Sequence, residues 1–435
     1  MEDREQQPLR VLHVAETIQG GLGSYLEEIL PLQRERYGPD AVRFVLPQEQ
    51  MAFHPPLLSP SVTGFQVKGR GRVYGSIQMA AKALEVTAAW KPSVVHLHST
   101  FAGAVMRPLL AMLSPRPKVV YCAHGWAFDR HAADAVQTRA ICFVERAWSH
   151  LCDAVVCISK HEARRASAIG IRDSRIALVA NGIADVSHMC EAAPAAHVWP
   201  RHRARVLFVG RFDHQKGLDV LYEAMARLGD RAFAVAVGCP VLDVGGRIAA
   251  KPSNVYTTGW RSRMQLEELY ASADVLVVPS RWEGFGMAAA EAIRAGLAVV
   301  ASRVGGLQEL VVDGVTGYLF DPGDAQQLAW LLARTDRATW RQMGRAGREH
   351  YLRHFQVHRV VEELDRTYRS TLGEQQWDGA SPPSPIQMDG CVPHAARAAH
   401  SQARGENRED DRAATSPDRQ TSCTAFSSES CSLTR

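Results

Sequence analysis

Apolar positions along the chain fall into short runs of β-branched and aliphatic residues, separated by longer stretches in which apolar and polar residues recur at helical spacing. Short runs of this kind make strands buried on both faces, and their alternation with helices predicts parallel sheets covered on both sides. In a first cycle the strands are expected at 10–16, 42–46, 93–97, 118–122 and 154–158, with helical stretches at 24–36 and around 76–89, 104–113 and 137–152. A second cycle follows, with strands at 206–209, 233–237, 255–257, 275–278 and 298–301. Its helices are expected at 218–228, 264–271, 287–295 and 325–333, with a long pair running through Arg369.

The pattern predicts an α/β protein of two Rossmann-like, doubly wound domains facing a cleft. Residues 1–180 form the first and 204–372 the second. A weakly patterned linker at 181–203 opens on the turn Asn181-Gly182-Ile183, and the last helix is placed to pack back on the first domain. From about Gly373 large apolar residues nearly vanish, so 373–435 is expected to be a disordered tail.

Glycine turns sit where the predicted strands end, which is where open α/β sheets bind ligands. Gly20-Gly21-Leu22-Gly23 follows the first strand. Ser24 is placed to cap the next helix, with Glu27 and Glu28 in its first turns. Val275–Val278 leads into Ser280-Arg281-Trp282-Glu283-Gly284-Phe285-Gly286-Met287, and the helix beyond carries Glu291. Two carboxylates flanking a glycine turn suit a ligand rich in hydroxyl groups. Gly210-Arg211-Phe212-Asp213-His214-Gln215-Lys216-Gly217 also joins a strand to a helix, and its guanidinium and ammonium together suit a diphosphate. Ser302-Arg303-Val304-Gly305-Gly306-Leu307 opens a short helix whose free amides offer a further anion site, although a plain loop is the commoner reading of a lone Gly-Gly.

Composition narrows the class without choosing within it. A chain of 435 residues, 46% hydrophobic, has room for two real cores. The net charge of +4 is too small to favour nucleic acid. Residues 1–180 carry 21 basic and 16 acidic side chains, a mild excess that suits an anionic surface or a phosphate-bearing acceptor. The nine cysteines include no C-x-x-C pair, so neither a disulfide framework nor a zinc site is expected. No apolar run is long enough to span a bilayer, and Met1 to Gln7 is polar. A cytoplasmic protein, soluble or peripheral to the inner face of the membrane, is the expectation.

Glu283 and Glu291, with seven residues between them, resemble the E-x7-E element of family 4 glycosyltransferases, retaining enzymes with the two-domain B-type fold. Arg211 and Lys216 match that family's Arg/Lys pair. Val304-Gly305-Gly306 with Glu309, Asp313-Gly314-Val315-Thr316-Gly317 and Asp321-Pro322-Gly323-Asp324 are similar to its downstream signature. Gly20-Gly21, Ala123-His124-Gly125 and Asn181-Gly182-Ile183 are similar to its landmarks nearer the N-terminus, so the resemblance covers roughly residues 10–370. Gln308, where the family often has proline, and Val237-Gly238-Cys239-Pro240 depart from the pattern and bear on the choice of nucleotide or sugar.

The resemblance implies transfer of a hexose from a nucleotide-diphosphate sugar to a saccharide or polyprenyl-linked acceptor, in surface polysaccharide or glycolipid synthesis. It places Glu283 on the donor sugar with backbone groups of Gly284, Phe285 and Gly286, Glu291 on the ribose, and Arg211 and Lys216 on the pyrophosphate. It puts His124 near the reacting carbon and lets Gly20 and Gly21 approach the diphosphate or acceptor. No cofactor and no metal are implied.

Two other classes compete. A sugar-nucleotide epimerase of the same fold would bind a similar donor. A dinucleotide-dependent oxidoreductase is more distant, because Gly20, Gly21 and Gly23 do not make G-x-G-x-x-G and no acid ends the second strand. His96-x-His98 could suggest a metal pair on one face of a strand, but with no further clustered ligand expected a packing role is the better reading. Glu16 and Asp129, near strand ends, are weaker acid–base candidates. Trp90, Trp148 and Trp340 read as packing residues, and Lys68, Arg70 and Arg72 as a basic loop that suits an anionic membrane or lipid diphosphate no better than solvent.

Overall fold

The computed structural model describes residues 9–374 except 55–56, 58–60, 68–70, 131–134, 186–198 and 241–249. The expected tail from residue 375, most of the expected linker, and Lys68 and Arg70 lie outside the described residues.

A first sheet has seven strands: β1 Val11–Ala15, β2 Val42–Pro47, β3 Val62–Phe65, β4 Val94–His98, β5 Lys118–Cys122, β6 Ala154–Cys157 and β7 Ile176–Leu178. A second has six: β8 Ala204–Val209, β9 Ala232–Val237, β10 Val255–Thr258, β11 Val275–Val278, β12 Ala298–Ser302 and β13 Gly317–Phe320. Their orders are β3-β2-β1-β4-β5-β6-β7 and β10-β9-β8-β11-β12-β13. Every pairing is parallel. Helices join most of the successive strands, so both sheets are doubly wound. The strand order reverses between β1 and β4 in one sheet and between β8 and β11 in the other, and crevices for ligands form at such switch points.

Burial explains why these segments are strands. All residues of β1 and of β11 are buried, as their unbroken apolar runs require. One continuous apolar cluster joins inward faces of both sheets, including Ile29, Val94, Ile183, Leu276, Phe285, Leu307 and Phe355. The chain returns across it. Ile183 N–H donates to Phe355 O at 2.9 Å, and Val357 N–H donates to Ile183 O at 3.1 Å. The helix Val357–Leu372 then packs against Gly21–Tyr37, with Asp365 bound to Arg36 at 2.7 Å and the Tyr368 hydroxyl 2.7 Å from His96 Nδ1.

The structure corrects the reading of the first helix. It begins at Gly21 rather than Ser24, with Gly20 as an N-cap that has no side-chain hydrogen bond. Glu27 and Glu28 therefore fall in the second turn, beyond the reach of the helix-end dipole. They make specific contacts instead, Glu27 with His54 at 3.0 Å and Glu28 with Arg263 at 2.9 Å. Strands β3, β7 and β13 and the helix Lys160–Ala168 stand beyond the sequence expectation.

Candidate active site

The second sheet supplies a charged cluster at its switch point. β8 runs into the turn 210–217 and the helix Leu218–Leu228, while β11 runs into 280–286 and the helix Met287–Arg294. Because β8 and β11 are neighbours, these turns meet. Lys216 Nζ donates to Glu283 Oε2 at 2.7 Å, and Ser280 Oγ donates to the same oxygen at 3.1 Å. The Lys216 and Glu283 side chains are only 21% and 11% exposed, so the pair is partly withdrawn from water. Arg211 lies beside them, held by Asp213 at 3.0 Å and Gln215 at 2.7 Å. Gln215 in turn donates to Trp282 O at 3.2 Å, and Arg281 N–H to Gln215 O at 2.8 Å. Two cations and a carboxylate are thus fixed where two neighbouring strands end.

The turn of Glu283 rests on the next one. Gly305 has φ +49°, and a β-carbon there would stand 1.6 Å from Glu283 O, so only glycine allows this approach. The Gly306 amide donates to the same carbonyl at 3.3 Å. That amide is therefore already used, and the helix that follows is only Leu307–Leu310, which agrees with the plain-loop reading of this turn. Phe285 points inward and meets Phe355 edge to face. Glu291 is half-buried and accepts from the Tyr270 hydroxyl at 2.8 Å. Burial lifts its carboxyl above the usual range, and the Tyr270 hydrogen bond opposes that lift.

The first sheet brings its own strand ends to the same place. His124 follows β5 with φ +51°, unusual for a residue other than glycine. Its Nε2 lies 2.8 Å from His98 Nδ1, and burial pushes its imidazole down to about 3, with the nearby His13 adding to the effect. His124 is therefore neutral. The Gly125 amide donates to Glu162 Oε1 at 2.6 Å, and the Ile158 amide to Oε2 at 3.0 Å. Glu162 is 1% exposed, and burial raises its carboxyl to about 7 against these two hydrogen bonds.

A β-carbon on Gly284 would sit 3.0 Å from Glu162 Oε1 and 3.1 Å from the Gly125 nitrogen. One on Gly21 would sit 3.3 Å from Met287 Cγ. So Gly21 abuts the start of the Glu291 helix, and Gly125 abuts the Glu283 turn. Glu309 completes the seam by accepting from the Lys160 and His161 amides at 3.0 and 2.9 Å, at the start of a first-sheet helix. Of the weaker candidates, Asp129 is engaged by Arg165 at 2.9 Å and by His161 at 3.5 Å.

Among the described residues, His13, His96 and His98 form a buried group in which one ring nitrogen from each lies within 4.8 Å of the other two. His13 Nδ1 and His98 Nε2 already face each other at 2.9 Å. His13, absent from the sequence reading, enters through sheet order: β1 and β4 are adjacent, with His13 opposite His96. Glu162 was also missed. Its signal is Ser159-x-x-Glu162, a helix-start spacing in which the serine does accept from the Glu162 amide at 3.1 Å, while the carboxylate turns to Gly125.

The chain is similar to known proteins in sequence and in fold. Residues 20–182 match the family described as glycosyl transferase 4-like domain, and residues 191–350 the family described as glycosyl transferases group 1. A 41.2 kDa protein in the cps region of Klebsiella pneumoniae is 28% identical over 372 residues, covering 83% of this chain and 100% of that protein. The D-inositol 3-phosphate glycosyltransferase of Mycolicibacterium smegmatis is 30% identical over 309 residues, 65% of this chain and 68% of its own. The crystal structure of Anabaena Alr3699/HepE in complex with UDP and glucose superposes with a TM-score of 0.68 at 19% identity, over 83% of this chain and all of that one. By these matches and by its two parallel sheets, the chain belongs to the group 1 glycosyltransferases of family 4 and is a glycosyltransferase with the B-type fold.

Proposed function

We propose that the chain is a retaining hexosyltransferase, moving a hexose from a nucleotide-diphosphate sugar to a saccharide or polyprenyl-linked acceptor bound mainly by the first-sheet side. Its setting would be surface polysaccharide or glycolipid synthesis at the inner face of the membrane. The observation that carries this reading is the 2.7 Å contact of Lys216 with Glu283, beside Arg211 and against the His124-Gly125 turn. The Anabaena neighbour, held with UDP and glucose, supports a nucleotide-sugar donor. The Klebsiella relative in the cps region gives the setting its support.

On this reading Arg211 and Lys216 face the diphosphate. When the bond from sugar to phosphate breaks, negative charge grows on the leaving diphosphate, and fixed cations stabilise that charge more than they stabilise the ground state. Glu283 and the amides of Gly284, Phe285 and Gly286 orient the sugar. Glu291 accepts hydrogen bonds from the ribose, and Gly20 and Gly21 let the first turn come close to the phosphates or acceptor. Retention requires the acceptor oxygen to bond on the face that the diphosphate leaves.

The test is nucleoside diphosphate release by the full chain from UDP-, ADP- and GDP-hexoses, with saccharide and polyprenyl phosphate acceptors. The anomeric proton coupling of the product reads the stereochemistry. Lys216→Met is expected to cut turnover by on the order of 10²-fold, and EDTA to leave it unchanged. Full turnover in Lys216→Met would sink the assignment of this cluster. Conversion of donor to its 2-epimer without acceptor would establish the epimerase in its place.

A further inference from the structure

We propose that Gln33, His13 and His98 form a buried positioning chain that decides which nitrogen of His124 carries the proton. The links are short and continuous. Gln33 Oε1 lies 2.9 Å from His13 Nε2, His13 Nδ1 lies 2.9 Å from His98 Nε2, and His98 Nδ1 lies 2.8 Å from His124 Nε2. Gln33, His13 and His98 are 0% exposed. Burial pushes His13 down to about 4 and His98 well below its ordinary range, which keeps the rings neutral.

A neutral imidazole has one donor nitrogen and one acceptor nitrogen. Neutral rings joined nitrogen to nitrogen must therefore all point the same way, and the group at the end of the row chooses the direction. With the Gln33 amide turned so that Oε1 faces the ring, that oxygen accepts and His13 Nε2 carries the hydrogen; the direction of the whole row follows from this orientation. His13 Nδ1 then accepts from His98 Nε2–H, and His98 Nδ1 accepts from His124 Nε2–H. The lone pair of His124 is left on Nδ1.

The rings are held in place from the sides. Phe44 stacks on His13 with centroids 5.0 Å apart and 15° between planes, and Tyr25 meets the His124 ring edge at 4.9 Å. His96 stays outside the row because its Nδ1 faces the Tyr368 hydroxyl. His124 is thereby set as an acceptor for a ligand hydroxyl rather than a donor to a ligand oxygen. That last role, though not the tautomer itself, rests on the donor-sugar reading above.

Long-range proton–nitrogen correlation on the full chain, labelled with 15N-histidine, reads the tautomer directly. The His124 signals are identified by their loss in His124→Gln. The expected result is a protonated Nε2 and an unprotonated Nδ1 in the unaltered protein. Gln33→Met removes the fixed acceptor and should give mixed tautomers at His124. Its kcat should fall about tenfold, as for loss of an orienting partner behind a site residue, with KM and the thermal midpoint little changed. A His124 protonated on Nδ1, or on both nitrogens, overturns the proposal in the unaltered chain alone. So does an unchanged tautomer in Gln33→Met, or a stoichiometric metal ion bound to these histidines. Failure of donor turnover would defeat the functional reading while leaving the tautomer result intact, so the two failures are distinguishable.

Discussion

Glu162 offers the sharpest test of how the two sheets are joined. Its carboxyl is raised from an ordinary 4.5 to about 7, with burial the main cause. A folded-state shift of about 2.5, at 1.36 kcal/mol for each pH unit, makes ionised Glu162 cost the fold roughly 3 kcal/mol. The sign follows from proton counts. Between pH about 4.5 and about 7 the unfolded chain has lost this proton while the folded chain keeps it, so stability falls as pH rises through that window. Below it both states are protonated, and above it the whole penalty is present.

Glu162→Gln removes the titration. It also leaves one of the Gly125 and Ile158 amides facing an NH₂ group, a constant cost of about 1–3 kcal/mol. The stability of the unaltered protein relative to the variant is therefore expected to fall by roughly 3 kcal/mol across the window and to be flat on either side. Urea unfolding at successive pH values measures it. Tryptophan fluorescence follows the unfolding, and Trp126, whose Nε1 donates to Glu162 O at 3.0 Å, is one of the nine tryptophans that report it. Parallel stability curves would refute the argument. A relative gain in stability with rising pH would show that the two amide hydrogen bonds outweigh burial.

Gly305→Ala should lower stability by about 1–3 kcal/mol, since alanine must adopt φ +49° or push Glu283 O away. Turnover should fall with it, and an unchanged thermal midpoint would mean the turns do not touch as described. Glu309→Ala should cost about 1 kcal/mol through loss of its cap on the helix Lys160–Ala168. Hydrogen exchange at the Lys160 and His161 amides should quicken, and unaltered exchange there would remove Glu309 from the seam.

Where a segment is apolar on both faces, the sequence located it well. β5 and β11 fall where the pattern puts them, and so does the helix Leu218–Leu228, whose apolar stripe is clear against its polar face. The strands that escaped notice lie at sheet edges. β3 is Val-Thr-Gly-Phe, half-exposed, and β7 is three residues long, too short for any periodicity. The helix Lys160–Ala168 is strongly polar, so it lacks the apolar stripe by which helices are recognised. Within the site, Arg211, Lys216, Glu283 and Glu291 were legible because each lies on a strand–turn–helix unit with its own glycines. The Gln33–His13–His98 row was not, since its members come from a helix and two strands and meet only once sheet order is fixed. Ser24 misled because a capping residue is informative only if the backbone has not already turned, and Gly20 turns it sooner.

The bond from His96 to Tyr368 joins residues 272 positions apart. During synthesis from the N-terminus, β4 exists long before the helix that covers it. At roughly 5–20 residues per second, the gap lasts on the order of tens of seconds. Throughout that interval the face bearing His96 and Val94 lacks the part of its cover that the last helix supplies. The first sheet is thus an early product of translation and a late product of folding, and chaperone demand should concentrate on the time between the two.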